Sequence, residues 1–169
     1  MRIWYDTEFH NRGHLFPVEA ISIGMVREDG EEYYAVFADG WDLEAAALDP
    51  WLAENVLPHL PPRKEWVARE RVAEEISLFI RDARRVDGKT PQLWAYYAGF
   101  DHVVYQQLYG RMEELPQWLP MFSYDLIVEC KRRAIRRSEY PPQPENQHDA
   151  LADARWNRSL HAVIDAVSS

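Results

Sequence analysis

An α/β fold, with a central mixed β-sheet flanked by helices, is predicted by two patterns in the chain. Three β-rich segments joined by short turns come first and read as an antiparallel meander, and behind them strands and amphipathic helices alternate. A third observation makes a packed core feasible: 47% of the 169 residues are hydrophobic and seven are Trp, enough apolar surface to offset the entropy of ordering. At this length a single domain over 1–169 is expected.

Arg2 to Phe9 reads as a strand, as does Ala20 to Arg27 (AISIGMVR), and the turn-like EDGE leads into a third, EYYAVF. A helix is expected over Asp49 to Leu57, with Asp49 as cap and Pro50 at the first helical position, until HLPPRK breaks it. From Arg69 to Arg84, Val72, Ile76, Phe79, Ile80 and Ala83 recur at intervals of three and four, the mark of a helix with one buried face. Pro91 to Tyr97 (PQLWAYY) is a strand covered on both sides, and Gly99 opens a helix to about Tyr109. A Pro-rich connection, LPQWLPMF, precedes a helix from Asp125 to about Arg137. YPPQPENQ is an irregular loop, and the last helix starts near Asp149 and buries Leu151, Leu160, Val163 and Ile164.

No run approaches the roughly 20 apolar residues of a membrane span, and Arg2, Asp6 and Glu8 interrupt any signal-like segment, so a cytoplasmic protein without a membrane partner is expected. Cys130 is the single cysteine, which excludes an intrachain disulfide and a multi-cysteine metal cage and fits a reducing compartment. The net charge of −9 is uneven: residues 1–60 hold 12 acids and 3 bases, whereas the remainder is neutral. Within that remainder KRRAIRR (Lys131 to Arg137) carries five positive charges. A helix there would align Arg132, Arg133, Arg136 and Arg137 to track an RNA backbone, to face solvent, or to pair with the acidic third within a chain or across a dimer.

The chemistry starts with Asp6 and Glu8. Side chains two apart on a strand share a face, so two carboxylates enter one small space while Thr7 and Phe9 point away. Like charges that close raise each other's pKa unless a cation neutralises them, and hard oxygen donors suit Mg²⁺ or Mn²⁺. The alternative is one acid in a salt bridge and the other at an exposed strand end. Asp101 follows the apolar LWAYY and the small turn AGF, at the first turn of a helix, where the dipole alone would favour an acid. Near the C-terminus His148 precedes Asp153 by five residues. Asp149 and Asp153 share a helical face, and Asp149 serves equally as a cap.

In that order, D-x-E, a mid-chain Asp opening a helix, and H-x-x-x-x-D resemble the DEDDh 3′-to-5′ exonucleases, which have an RNase H-like fold. The neighbouring words YDTEF, EAISIG, NVLPHLP, LWAYYAGFDH and HDALADAR resemble the compact actinobacterial branch, polyadenylate-specific 3′-exoribonuclease AS. The resemblance implies that Asp6, Glu8, Asp101 and Asp153 hold two Mg²⁺ or Mn²⁺ ions and that His148 is the general base, with His102 the only runner-up. It implies a 3′-to-5′ exoribonuclease releasing nucleoside 5′-monophosphates from single-stranded RNA 3′ ends or overhangs, and leans toward a homodimer. A proofreading-type DNA exonuclease and a non-catalytic RNA-binding module of the same fold are the alternatives. For substrate contacts it places Thr7 and Phe9 beside the terminal nucleotide, which requires the strand to twist or end there. Trp4, on the carboxylate face, competes with them, and Arg133 and Arg136 are the backbone candidates.

Overall fold

The computed structural model describes residues 1–167. Strand β1 (Arg2–His10) lies at the centre of a five-stranded mixed sheet. On one side it pairs antiparallel with β2 (Glu19–Arg27), which pairs antiparallel with β3 (Glu32–Val36). On the other it runs parallel to β4 (Gln92–Ala95), which is parallel to the edge strand β5 (Ser123–Asp125). Helices α1 (Leu43–Leu48), α2 (Pro50–Asn55) and α3 (Arg69–Asp87) connect β3 to β4. Helices α4 (Gly99–Gln107), α5 (Leu126–Arg132) and α6 (Ala150–Ala166) follow β4, β5 and the Pro-rich loop.

The alternation along β1 divides the core. Ile3 and Tyr5 point to the face covered by Val72, Ile76 and Ile80 of α3 and Val104 and Tyr105 of α4. Trp4 points to the opposite face, where Trp94, Leu126, Cys130, Trp156 and Leu160 close around it. A smaller cluster seats Ala46, Leu52 and Val56 of the α1–α2 segment on Ile21. Among the described residues no helix is long and apolar enough to cross a membrane.

Several expectations are corrected. Helix α1, capped by Asp42, was not anticipated, nor was β5, a three-residue strand between the Pro-rich LPQWLPMF connection and the helix expected from Asp125. Pairing of Leu93 with Ser123 and Ala95 with Asp125 makes that segment a strand, a tertiary cause that three residues cannot announce. β4 stops at Ala95, and Tyr97 turns the chain with φ 57°. The helix expected to reach Arg137 ends at Arg132: Ala134 adopts φ 56°, the Ile135 amide donates to the Cys130 carbonyl, and Ile135 enters the core. The arginines therefore share no helical side. Arg132 and Arg133 pair with Glu129, and Arg136 pairs with Glu139. On α6 the buried face is Ala152, Trp156, Asn157, Leu160 and Ile164, whereas Leu151 and Val163 are only partly buried.

The first turn of α6 crosses β2 at Gly24, the residue paired with Asp6. A Cβ on Gly24 would overlap the backbone of Ala150 and Leu151, so only glycine permits this approach. Gly24→Ala should destabilise the fold by about 1–3 kcal/mol, the usual range for overpacking, and displace α6 from β1. Urea unfolding together with an activity assay checks it, and the activity loss should exceed what the unfolded fraction accounts for.

Candidate active site

A cavity of about 580 Å³ opens near the carboxyl ends of the parallel strands β1 and β4, where open α/β sheets commonly bind ligands. Asp6, Glu8, Asp101, His148 and Asp153 all line it. β1 contributes the first two on the face that carries α6. Asp101 comes from the first turn of α4, immediately beyond the Tyr97 turn, and Asp153 from the first turn of α6. Ligand atoms of Glu8, His148 and Asp153 lie within 4.8 Å of one another.

Local structure fixes each group. Asp101 is 6% exposed, and its Oδ1 accepts from both the backbone amide of Thr7 (2.9 Å) and the Thr7 hydroxyl (2.7 Å). His148 has φ 67°, a left-handed conformation uncommon for a side-chain-bearing residue, and its amide donates to Asp153 Oδ2 at 2.9 Å. Asp149 is the cap: its carboxylate accepts from the Ala152 amide. The Trp51 ring meets the His148 ring edge-on, with centroids 4.7 Å apart. Asn157 of α6 donates to the Tyr5 carbonyl at 2.9 Å, tying helix to strand beneath the acids.

Electrostatics follow from the crowding. Burial, then the charges of Asp101, Glu8 and Asp153, raises the Asp6 carboxyl well above its ordinary range. Burial, then Asp153 and Asp101, raises Glu8 to about 8. Asp101 rises to about 6 through burial, against the two Thr7 bonds that favour its ionised form. Burial likewise raises Asp153, opposed by the His148 amide bond and the His148 charge. Among the described residues no Lys or Arg forms an ion pair with any of the four.

The remaining candidates separate. Phe9 lines the cavity, and a register shift between Glu8 and Phe9 supplies the irregularity that its placement required. Thr7 also lines it, with its hydroxyl committed to Asp101. Trp4 is not there: it is 4% exposed, and its indole N–H donates to His161 Nδ1 within the core. His102, the runner-up base, has both ring nitrogens engaged outside the cavity, with Ser123 Oγ (3.0 Å) and the Met121 carbonyl (3.1 Å). Arg133 and Arg136 do not line the cavity and are held by Glu129 and Glu139.

Sequence reasoning missed the aromatic wall. Phe100 stacks on Phe9 with centroids 5.4 Å apart, and Phe100, Tyr97 and Trp51 are half exposed or more at the same cavity. An aromatic in a strand or amphipathic helix is by default core, and no local signal marks these three as exposed. His10 also lines the cavity, 3.6 Å from Glu19 and 3.9 Å from Asp49.

A mixed α/β sheet with four carboxylates and a histidine lining one cavity at its strand ends defines the class: an α/β protein with an acidic centre. The chain belongs to the family described as the 3′-5′ exoribonuclease Rv2179c-like domain, whose model matches residues 1–164. It is similar to two curated proteins of Mycobacterium tuberculosis, 3′-5′ exoribonuclease Rv2179c of strain ATCC 25618 / H37Rv and 3′-5′ exoribonuclease MT2234.1 of strain CDC 1551 / Oshkosh. Each is 43% identical over 156 residues, covering 92% of this chain and 88% of the relative.

The raised carboxyls predict a pH dependence. The folded protein holds protons at Glu8 and Asp101 that the unfolded chain releases near ordinary values of 4.5 and 3.8. Unfolding thus releases protons, and the stability of the chelator-treated protein should fall as pH rises from about 4 through 8. Thermal melts in EDTA across this window check the slope.

Proposed function

We propose that the protein is a metal-dependent 3′-to-5′ exoribonuclease of the DEDDh type on an RNase H-like fold, releasing nucleoside 5′-monophosphates from single-stranded RNA ends or 3′ overhangs. The observation that carries this reading is the convergence of Glu8, His148 and Asp153 within 4.8 Å on a cavity also walled by Asp6 and Asp101. Membership of a family named for 3′-5′ exoribonucleases supports the polarity and the RNA substrate. The donor set fits the expected ions: crowded carboxylates that repel one another and, among the described residues, have no Lys or Arg ion pair are suited to Mg²⁺ or Mn²⁺. Asp6, Glu8, Asp101 and Asp153 would hold two of them. Bound there, such ions make a water more acidic and stabilise charge on the departing 3′ oxygen.

His148 takes the proton of the attacking water at an imidazole nitrogen, a role supported by its place against Glu8 and Asp153 at the cavity. Its neighbour Trp51 limits how the ring can swing, and its left-handed backbone sets it just ahead of the α6 cap. Phe9, Phe100, Tyr97 and Trp51 offer flat surfaces for unstacked terminal bases. The amides of Gln143 and Gln147 offer donors at the same walls. A homodimer is part of the reading, supported by Met121, Phe122 and Val128, which are exposed on either side of the edge strand β5 in the sequence.

The test is a 5′-labelled RNA oligomer incubated with Mg²⁺ or Mn²⁺. Expected is a ladder shortening one nucleotide at a time from the 3′ end, abolished by EDTA. Equal or faster shortening of DNA of the same sequence would favour a DNA exonuclease, and binding without shortening a non-catalytic module. His148→Ala should slow turnover by about 10²- to 10⁴-fold while RNA binding, followed by fluorescence anisotropy, stays within a few-fold. A wild-type rate in His148→Ala would remove the histidine from the mechanism.

A further inference from the structure

Thr7 is the middle residue of the D-x-E segment, and the strand pleat turns it away from the face that Asp6 and Glu8 occupy. It is 4% exposed, and both of its donors reach across 94 residues of sequence to one atom, Asp101 Oδ1, at 2.9 Å from the amide and 2.7 Å from the hydroxyl. We propose that Thr7 is the positioning residue for Asp101, fixing the carboxylate so that Oδ2, which takes neither bond, is presented to a divalent cation. The inference rests on the metal-binding reading above and adds to it the source of the third acid's orientation.

Two donors converging on one oxygen constrain more than distance. A single bond would let the carboxylate swing about its Cβ–Cγ bond, whereas the amide and hydroxyl approach from different directions and oppose that rotation. The β-branched side chain of Thr7 restricts χ1, so Oγ1 is held in place before Asp101 meets it. The amide belongs to the same strand segment that carries Asp6 and Glu8. Asp101 is therefore registered against those two acids directly, rather than through the loop that leads into α4. Asp101 is buried beside like charges, and two donors meet part of the need of a desolvated carboxylate.

The test compares three variants with wild type, reading Mn²⁺ binding by calorimetry and the rise in thermal midpoint that Mn²⁺ produces. Thr7→Val keeps the shape and the amide bond and removes only the hydroxyl. It should weaken Mn²⁺ binding by about 10- to 100-fold, the usual cost of removing a group that orients a metal ligand, and shrink the Mn²⁺-induced rise. Thr7→Ser, which restores the hydroxyl, should recover binding to within a few-fold. Thr7→Ala provides the same comparison should the valine variant fail to fold, with weakened binding again expected. Wild-type Mn²⁺ affinity in Thr7→Val or Thr7→Ala, with only the metal-free midpoint lowered, would overturn the proposal and leave Thr7 a packing residue. Absence of Mn²⁺ binding by the wild-type protein would overturn the metal reading itself, and this inference with it.

Discussion

Repulsion among carboxylates is the constraint around which this molecule is arranged. Two charges ~5 Å apart at an effective dielectric of ~20 oppose each other by about 3 kcal/mol, and here four acids meet in a cavity where, among the described residues, no Lys or Arg is ion-paired to any of them. Left to themselves the groups would move apart or take up protons. Each is instead carried on backbone that cannot retreat. Asp6 and Glu8 sit on the central strand, Asp101 is held by Thr7, and Asp153 lies on a helix that Gly24 and the Asn157 bond keep against the sheet. Stability is spent on proximity, as is common where a site must be ready before its ligand arrives.

Most of the frame was legible because its signals are periodic. The meander and the α3 stripe of Val72, Ile76 and Ile80 stand out from spacing, whereas the acids of D-x-E and H-x-x-x-x-D were singled out by the resemblance their order bears to a known family pattern. What stayed hidden depends on tertiary partners. β5 exists because β4 is beside it, and the helix after it stops at Arg132 because Ile135 is drawn into the Trp4 core. Gly24 reads as an ordinary strand glycine until α6 is laid across it. The aromatic wall was invisible for a different reason: Trp51 and Phe100 have the same identities as core residues, and only exposure distinguishes them.

The charge distribution also takes on a different meaning in three dimensions. Part of the acidic N-terminal third is structural: Asp42 and Asp49 cap short helices, and Glu19 takes His10 and Arg12 as neighbours. In the basic stretch, conspicuous in the sequence, Arg132 and Arg133 share Glu129 and Arg136 pairs with Glu139. A polyanion approaching this cavity would meet acids and aromatic faces rather than arginines. On the proposed reading its attraction must come from bound cations and from stacking, so recognition would favour an unpaired end whose bases are free to stack over a long duplex.

The order in which the chain is made gives the site one more property. β1 supplies two acids at the start of synthesis and α4 the third midway, but His148 and Asp153 belong to the loop and helix translated after every strand of the sheet. Until α6 is made, the chain carries Asp6, Glu8 and Asp101 but neither His148 nor Asp153. On the proposed reading, the site is complete only once the last helix has been translated and seated at Gly24.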